Sequence, residues 1–269
     1  MSRSISLPMY DFAELQSSTT TVLDAIAAEV RQFGDDGQVD SPDSSSYSTL
    51  ISLWRGTEMY LSQTCGLPYI EVLQEFVDVL GTFLWDGISD DLGRYRTDIV
   101  VRDDFAATQV SELGGAQPVV TNTQSLSGWC SLGCALAEVT DDPKFVQPYL
   151  LSDRHVSSLQ MLQDRVADVA SIDPVTFKIL GRIRPALVKN LRIIGSGPLV
   201  FATPVIVSKV RIAQLGDLRA ALHRVVDNPT LTGEMAAIGI VGFVDHDGAN
   251  CAMIHDLVVR AEQVLPRRG

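Results

Sequence analysis

The chain has little cysteine, no long apolar run and no stretch rich in basic side chains. Its four cysteines are too few and too scattered over 269 residues to build a disulfide-stabilised fold. No apolar segment reaches the roughly 18 residues that a membrane-spanning helix needs, so we predict no membrane insertion. A pI near 4.7 and the lack of a Lys/Arg stripe exclude nucleic acid as an expected partner.

The sequence also lacks the short motifs of common catalytic and nucleotide-binding sites. It contains no Walker loop and no Gly-x-Gly-x-x-Gly. Ser127, His155 and Asp173 are side-chain types of a hydrolase triad, but the glycine-flanked serine motif and the usual α/β-hydrolase chain order are both missing. Cys130 and Cys134 have the spacing to hold a metal with His155, although small buried residues on an amphipathic helix are the favoured interpretation. We therefore predict a protein that is not an enzyme and has no cofactor and no metal site.

Charge is spread unevenly along the chain. Acidic side chains outnumber basic ones 16 to 5 over residues 1–98 and 17 to 16 over residues 99–269. A small anionic ligand is still compatible with this balance, because nearby N–H groups and one or two arginines govern a closed site more than distant carboxylates do. The first residues show no export signal. This predicts a cytoplasmic location for the chain as written, and a periplasmic location if a signal was removed.

Short apolar strand-like runs alternate with helical patterns, which predicts an α/β fold with mainly parallel sheets. The predicted strands are 4–9, 59–63, 77–83, 97–101, 118–120, 148–151, 169–172, 191–195 and 200–207. The predicted helices are 19–33, 47–54, 127–138, 156–165, 174–182, 211–227 and 250–264. Residues 34–46 have the composition of a polar surface loop.

The segment 121–128 is predicted to be an anion-binding loop. It contains hydroxyl and amide side chains, including Asn122, Ser125 and Ser127, and runs through Gly128 directly into a helical pattern. A helix N-terminus that follows a strand gathers unpaired N–H groups and the positive end of the helix dipole. The alternative is that Ser125 or Ser127 only caps its helix.

Other polar side chains lie at the ends of predicted strands. Tyr10, Thr64, His155 and Asp173 follow strands, where ligands of open α/β sheets bind, and Tyr95 comes just before the strand 97–101. Hydroxyl, amide and imidazole groups of this kind suit a desolvated oxyanion that needs many neutral donors. Structural interpretations stay open: Tyr10 as a half-buried aromatic residue, His155 as an exposed residue at a helix start, and Asp173 as the N-cap before Pro174.

Several strings in order along the chain resemble the phosphate/phosphite/phosphonate-binding proteins of ABC importers. They are 7–11, 62–68, 93–102, the hydroxyl-rich loop, 157–159, 167–173 and 239–243. The resemblance implies a type II periplasmic-binding-protein fold, in which two α/β lobes are joined by crossing strands and close over a ligand in the cleft between them. Lobe 1 would comprise residues 1–97 and 199–269, and lobe 2 residues 98–198.

The same resemblance implies roles for individual residues. Tyr10 would cover the ligand, while Ser125, Ser127 and Gly128 would hold its oxyanion. His155 would donate a hydrogen bond, and Asp173 would accept one from a protonated oxygen or an aminoalkyl group. Thr64, Tyr95 and Asn122 complete the predicted ligand-binding set.

The implied function is solute binding for ABC-type import, with phosphate, phosphite or a phosphonate as ligand and an ABC permease as partner. Two alternatives remain at this point. One is a cytosolic metabolite sensor of the same fold, and the other is a binding protein for a sulfonate or for a pyrimidine precursor of thiamine. A hydrolase is the least favoured class.

Overall fold

The computed structural model describes residues 3–33, 37–40 and 47–267. The chain divides into two units by its internal contacts. Unit 1 comprises Met1–Tyr95 and Phe201–Ala252, and unit 2 comprises Arg96–Val200 and Met253–Gly269. The chain therefore passes between the units three times, whereas the sequence prediction kept everything after residue 199 in the first lobe.

Strands and helices alternate through both units. The strands are β1 (Arg3–Ile5), β2 (Gly37–Val39), β3 (Met59–Gln63), β4 (Val77–Trp85), β5 (Arg94–Tyr95), β6 (Asp98–Arg102), β7 (Pro118–Val120), β8 (Leu150–Leu151), β9 (Val169–Ile172), β10 (Leu191–Ser196), β11 (Val200–Phe201), β12 (Pro204–Ser208) and β13 (Ile240–Asp245). The α-helices are α1 (Gln16–Arg31), α2 (Tyr47–Arg55), α3 (Gly66–Pro68), α4 (Ser131–Ala137), α5 (His155–Gln163), α6 (Pro174–Ile183), α7 (Leu215–Val226), α8 (Thr232–Ile238) and α9 (Ile254–Val264). Within the described ranges, none of these helices has the length and apolar character to cross a membrane.

Unit 1 is built on a six-stranded sheet with the order β13-β4-β12-β3-β1-β2. Strand β1 pairs in parallel with β2 and β3, while the pairings of β12 with β3 and β4, and of β13 with β4, are antiparallel. Helix α1 buries Val22, Ile26 and Val30, whose spacing places them on one helix face. Strands β3 and β12 are buried along their whole length, as expected for central strands.

Unit 2 is built on a five-stranded sheet with the order β10-β6-β9-β7-β8. Strands β7, β8 and β9 are parallel to one another, and β6 is antiparallel to both β9 and β10. The carboxyl ends of the three parallel strands therefore lie at the same edge of the sheet as the first residue of β6. The loops that leave this edge lead into Leu126–Cys130, α5 and α6.

Both sheets are mixed, which corrects the prediction of mainly parallel sheets. An alternating strand-helix order favours parallel pairing, but β6 is joined to β9 and β10 in the antiparallel sense. The predicted strand 4–9 ends at Ile5, because Pro8 has no N–H to donate and begins the 3₁₀ turn Pro8–Tyr10. In the predicted loop 34–46, Gly37–Val39 instead forms β2, and residues 34–36 and 41–46 lie outside the described residues.

Helix α9 belongs to unit 2 because it packs closely on α4. A Cβ atom added at Gly133 would lie 2.7 Å from Ala261 Cβ, so only glycine allows this approach of the two helices. The Trp129 indole N–H donates to the Leu265 carbonyl oxygen at 3.0 Å, and the Cys134 thiol donates to the Leu257 carbonyl oxygen at 3.2 Å. The C-terminal segment thereby completes the core under α4.

Candidate functional site

The loop after β7 is organised by its own side chains. Asn122 Oδ1 accepts from the Gln124 N–H at 3.0 Å, and the Asn122 carbonyl accepts from the Ser125 N–H at 3.2 Å. Ser125 Oγ then accepts from the Gly128 N–H at 2.9 Å and caps the following turn. The capping interpretation of Ser125 is thus confirmed. Its hydroxyl hydrogen is left to donate elsewhere.

The turn that follows is a single π-helical turn, Leu126–Cys130, ahead of α4. The Ser125 carbonyl accepts from both Trp129 and Cys130 N–H groups, at 3.2 and 3.1 Å. Such π turns occur mostly as isolated turns and often at functional sites. Gly128 is required here because an added Cβ would overlap the Thr121 side chain.

His155 reaches the same loop from the end of β8. The Ser152 and Asp153 N–H groups donate to the Val120 and Thr121 carbonyls at 3.0 and 2.7 Å, which ties the two loops together. Asp153 adopts a positive φ of 65°, a conformation that Asp tolerates better than most residues. The chain then turns into α5 with His155 as its first residue.

Ser127 and His155 form the central contact of the site. Ser127 Oγ lies 2.8 Å from His155 Nε2. The His155 Nδ1 atom is buried and has no hydrogen-bond partner among the residues that the structure describes. A buried N–H without an acceptor is rarer and costlier than an unused lone pair, which favours the tautomer with hydrogen on Nε2. His155 then donates to Ser127 Oγ, and the Ser127 hydroxyl hydrogen is free for a ligand.

Burial keeps His155 neutral. Desolvation lowers the pKa of His155 below its ordinary value, and the nearby Asp173 carboxylate opposes this effect in part. The neutral imidazole orients the Ser127 hydroxyl as a directed donor without adding a fixed positive charge. Such a donor is effective for an oxyanion in a site that excludes water.

Asp173 lies where β9 ends and α6 begins. It is 3% exposed, and its Oδ1 accepts from the Thr176 N–H at 2.9 Å. Pro174 occupies the first position of α6, so the predicted N-cap arrangement of Asp173 and Pro174 is confirmed. The cap engages Oδ1 of the carboxylate.

Asp98 is a second carboxylate at this edge, and sequence reasoning missed it. It is the first residue of β6 and pairs with Ile172, the residue directly before Asp173. Burial first, and then the Asp173 charge, raise the pKa of Asp98 to about 6. The available signal was a charged residue beginning the otherwise apolar run 99–101, which is unusual in a strand buried at its centre.

The remaining predicted residues belong to unit 1. Tyr10 is buried and packs edge-on against Trp85, with ring centroids 4.6 Å apart. Thr64 is fully buried, and its N–H donates to the Pro204 carbonyl at 3.0 Å. Tyr95 is buried at the end of β5. The structure therefore groups Asn122, Ser125, Ser127, Gly128, His155 and Asp173 in unit 2, and the ligand roles of the unit 1 residues stay predictions.

Comparison with known proteins identifies relatives in sequence and fold. Residues 6–250 match the family model described as ABC transporter, phosphonate, periplasmic substrate-binding protein. No curated protein matches the chain.

Solved structures with this fold include several binding proteins. PhnD1 from Prochlorococcus marinus, in complex with methylphosphonate, has a TM-score of 0.77 at 10% identity and covers 98% of this chain and 99% of its own. A binding protein component of an ABC phosphonate transporter from Pseudomonas aeruginosa has a TM-score of 0.75 at 14% identity, covering 97% and 86%. A Xanthomonas citri protein bound to ATP has a TM-score of 0.73 at 16% identity, covering 98% of both chains.

These likenesses show the α/β fold of type II periplasmic binding proteins, as the sequence predicted. The family match extends over most of both units. This chain belongs to the family of periplasmic substrate-binding proteins of phosphonate ABC transporters.

Proposed function

We propose that the chain is a solute-binding protein for ABC-type import whose ligand is a small phosphorus oxyanion: phosphate, phosphite or a phosphonate. The observation that carries the proposal is the contact of Ser127 Oγ with His155 Nε2 at 2.8 Å, at the edge where β7, β8 and β9 end. Family membership supports the transport role. An ABC permease is the partner that this role implies.

The donors at the edge suit an oxyanion. The His155 imidazole is kept neutral by burial, and it orients the Ser127 hydroxyl toward a ligand oxygen. Ser125 contributes a second hydroxyl, because its oxygen already accepts from the Gly128 N–H. The N-terminal turn at Leu126–Cys130 adds the positive end of its backbone dipoles. Directed neutral donors of this kind replace the hydration shell of an anion.

A carboxylate beside these donors favours a ligand that carries a proton. Asp173 lies at the same edge as Ser127 and His155. A protonated phosphate or phosphonate oxygen can donate to a carboxylate, whereas sulfate has no such proton and meets repulsion and an unmade hydrogen bond. The Asp173 carboxylate therefore favours phosphorus oxyanions over sulfate and sulfonates.

Ser127→Ala tests the proposal directly. We expect the variant to lose about 1–3 kcal/mol of binding free energy for methylphosphonate or phosphate, the range for a hydrogen bond to a charged group. Isothermal titration calorimetry measures the loss, and circular dichroism checks that the fold is kept. Ser111→Ala is the matched control, because Ser111 is exposed on unit 2 in the 3₁₀ turn Val110–Glu112. Equal affinities for the wild type and Ser127→Ala would refute the assignment of this loop.

A further inference from the structure

Asp98 occupies an unusual place in the unit 2 sheet. It begins β6, which lies between β9 and β10, and it pairs with Ile172 on one side and Ser196 on the other. Because β6 is antiparallel to β9, this position lies at the edge where β9 ends and Asp173 follows. No residue in the described part of the chain hydrogen bonds to the Asp98 carboxyl group or forms an ion pair with it.

The hydroxyl groups and cations closest along the chain have other partners. Thr97 Oγ1 accepts from the Ser171 hydroxyl at 3.1 Å. The Arg96 guanidinium donates to the Gly197 carbonyl at 2.9 Å. At the opposite end of β6, Arg102 is paired with Asp168 at 3.1 Å.

The charged groups on the elements packed around β6 include a second carboxylate at the start of α6 and Arg154 at the N-cap of α5. Strand β10 carries Arg192, which donates to the Phe105 and Ala107 carbonyls at 2.7 Å in both cases. Helix α4 has no charged residue. Helix α5 supplies the neutral His155, and α6 supplies Asp173 at its start, with Lys178 and Arg182 further along the helix. Asp173 is therefore the charged group that acts on the Asp98 carboxyl.

Resting on the proposed function, we infer that Asp98 is a ligand-binding residue of the unit 2 site whose protonation state sets the affinity. Its carboxyl group shares a proton with the bound oxyanion, so that binding takes up a proton and is tightest in mild acid. Asp173 caps α6 through Thr176, whereas the Asp98 carboxyl accepts no hydrogen bond from the described part of the chain.

The direction of the pH dependence follows from the raised pKa of Asp98. Its pKa is raised to about 6, so the carboxyl is neutral below that pH and ionised above it. The neutral acid donates a hydrogen bond to an anionic oxygen, whereas the carboxylate repels it. An anion near Asp98 also favours the protonated form, and linkage then requires affinity to fall as pH rises through about 6.

The test compares the wild type with Asp98→Asn, which keeps the size of the side chain and cannot titrate. Methylphosphonate is titrated calorimetrically at pH 5.5 and pH 7.5, and each dissociation constant of the wild type is divided by that of the variant. Ionisation of methylphosphonate itself affects both proteins equally and cancels in this ratio. We expect the ratio to rise about tenfold from the lower to the higher pH.

Asp103→Asn is the matched control, because Asp103 is an exposed carboxylate just beyond the other end of β6. Its dissociation constant for methylphosphonate should equal that of the wild type at both pH values. Asp98→Ser also lacks an ionisable group and serves as the second variant if Asp98→Asn does not fold. A constant ratio between pH 5.5 and 7.5, with tight binding by both proteins, would overturn the role of Asp98 and leave the oxyanion site standing. Failure of the wild type to bind phosphate, phosphite or methylphosphonate would overturn the proposed function and this inference with it.

Discussion

At the scale of single residues, the site depends on how buried polar atoms are partnered. Ser125 and Asp173 act as helix caps, and Ser125 keeps its hydroxyl hydrogen to donate after the cap is made. His155 Nε2 is hydrogen-bonded to Ser127 Oγ, whereas His155 Nδ1 is buried and has no hydrogen-bond partner in the described chain. Capping and ligand binding are therefore compatible roles, and the structure confirms only the capping.

His155 is predicted to act through its Nε2 atom. His155→Leu removes the donor to Ser127 and should weaken binding of methylphosphonate by about 1–3 kcal/mol. His155→Gln can place an amide N–H near the Nε2 position and should restore most of the affinity.

Titration calorimetry on both His155 variants separates these outcomes. The exposed His255 on α9 provides the control substitution His255→Leu, which should leave affinity unchanged. Equal loss in the Leu and Gln variants of His155 would contradict the donor role of Nε2.

At the scale of elements, the packing of α4 on α9 supports the binding loop from behind. The residues of α4 from Ser131 to Leu136 are buried, and Gly133 lies against Ala261. Trp129, within the π turn, is fixed by its hydrogen bond to Leu265 and by Arg267 stacked over its ring at 4.5 Å. The position of the π turn thus depends on a segment more than 100 residues away in the chain.

Gly133→Ala tests this packing. The added methyl group meets Ala261, and overpacking of this kind costs about 1–3 kcal/mol of the free energy of unfolding. Gly216→Ala in α7 is the matched control, because no atom lies within 4 Å of its added Cβ and alanine favours a helix more than glycine does. Urea denaturation followed by circular dichroism gives both values. Equal stability of Gly133→Ala and the wild type would show that α4 and α9 can separate without cost.

Elements differ in how well the sequence predicts them. The bounds predicted for β3, β7 and β9 agree with the structure, because apolar runs between polar turns define central strands clearly. Strand β13 is not among the predicted strands, since Gly242 interrupts its apolar run. The mixed pairing of the sheets and the attachment of α9 to α4 depend on contacts between distant residues, which no local pattern records.

The candidate site is likewise predictable from the sequence only where a local pattern records it. The loop 121–128 was recognisable from its hydroxyl residues and the helical pattern that follows. Asp98 was not, because its role depends on its register with Ile172 and on the position of Asp173. The contact of Ser127 with His155, 28 residues apart, is likewise a product of the parallel pairing of β7 with β8.

At the scale of the whole molecule, an acidic protein is proposed to bind an anion. The formal net charge is −12, and distant carboxylates act on an anionic ligand only weakly once salt screens them. Short-range donors at the edge of unit 2 therefore decide whether the ligand binds. Family membership and the shared fold are properties of almost the whole chain, and they are consistent with binding that short-range donors decide.

The most direct test of the account is a thermal-shift panel on the intact chain. The ligands are phosphate, phosphite, methylphosphonate, 2-aminoethylphosphonate, sulfate and taurine. At a hundredfold excess over Kd, binding adds about 2.7 kcal/mol to the free energy of unfolding, which raises Tm by several degrees. We predict a rise with one or more of the phosphorus oxyanions and none with sulfate or taurine. An unchanged Tm with every phosphorus compound, or a rise with sulfate or taurine alone, would contradict the account.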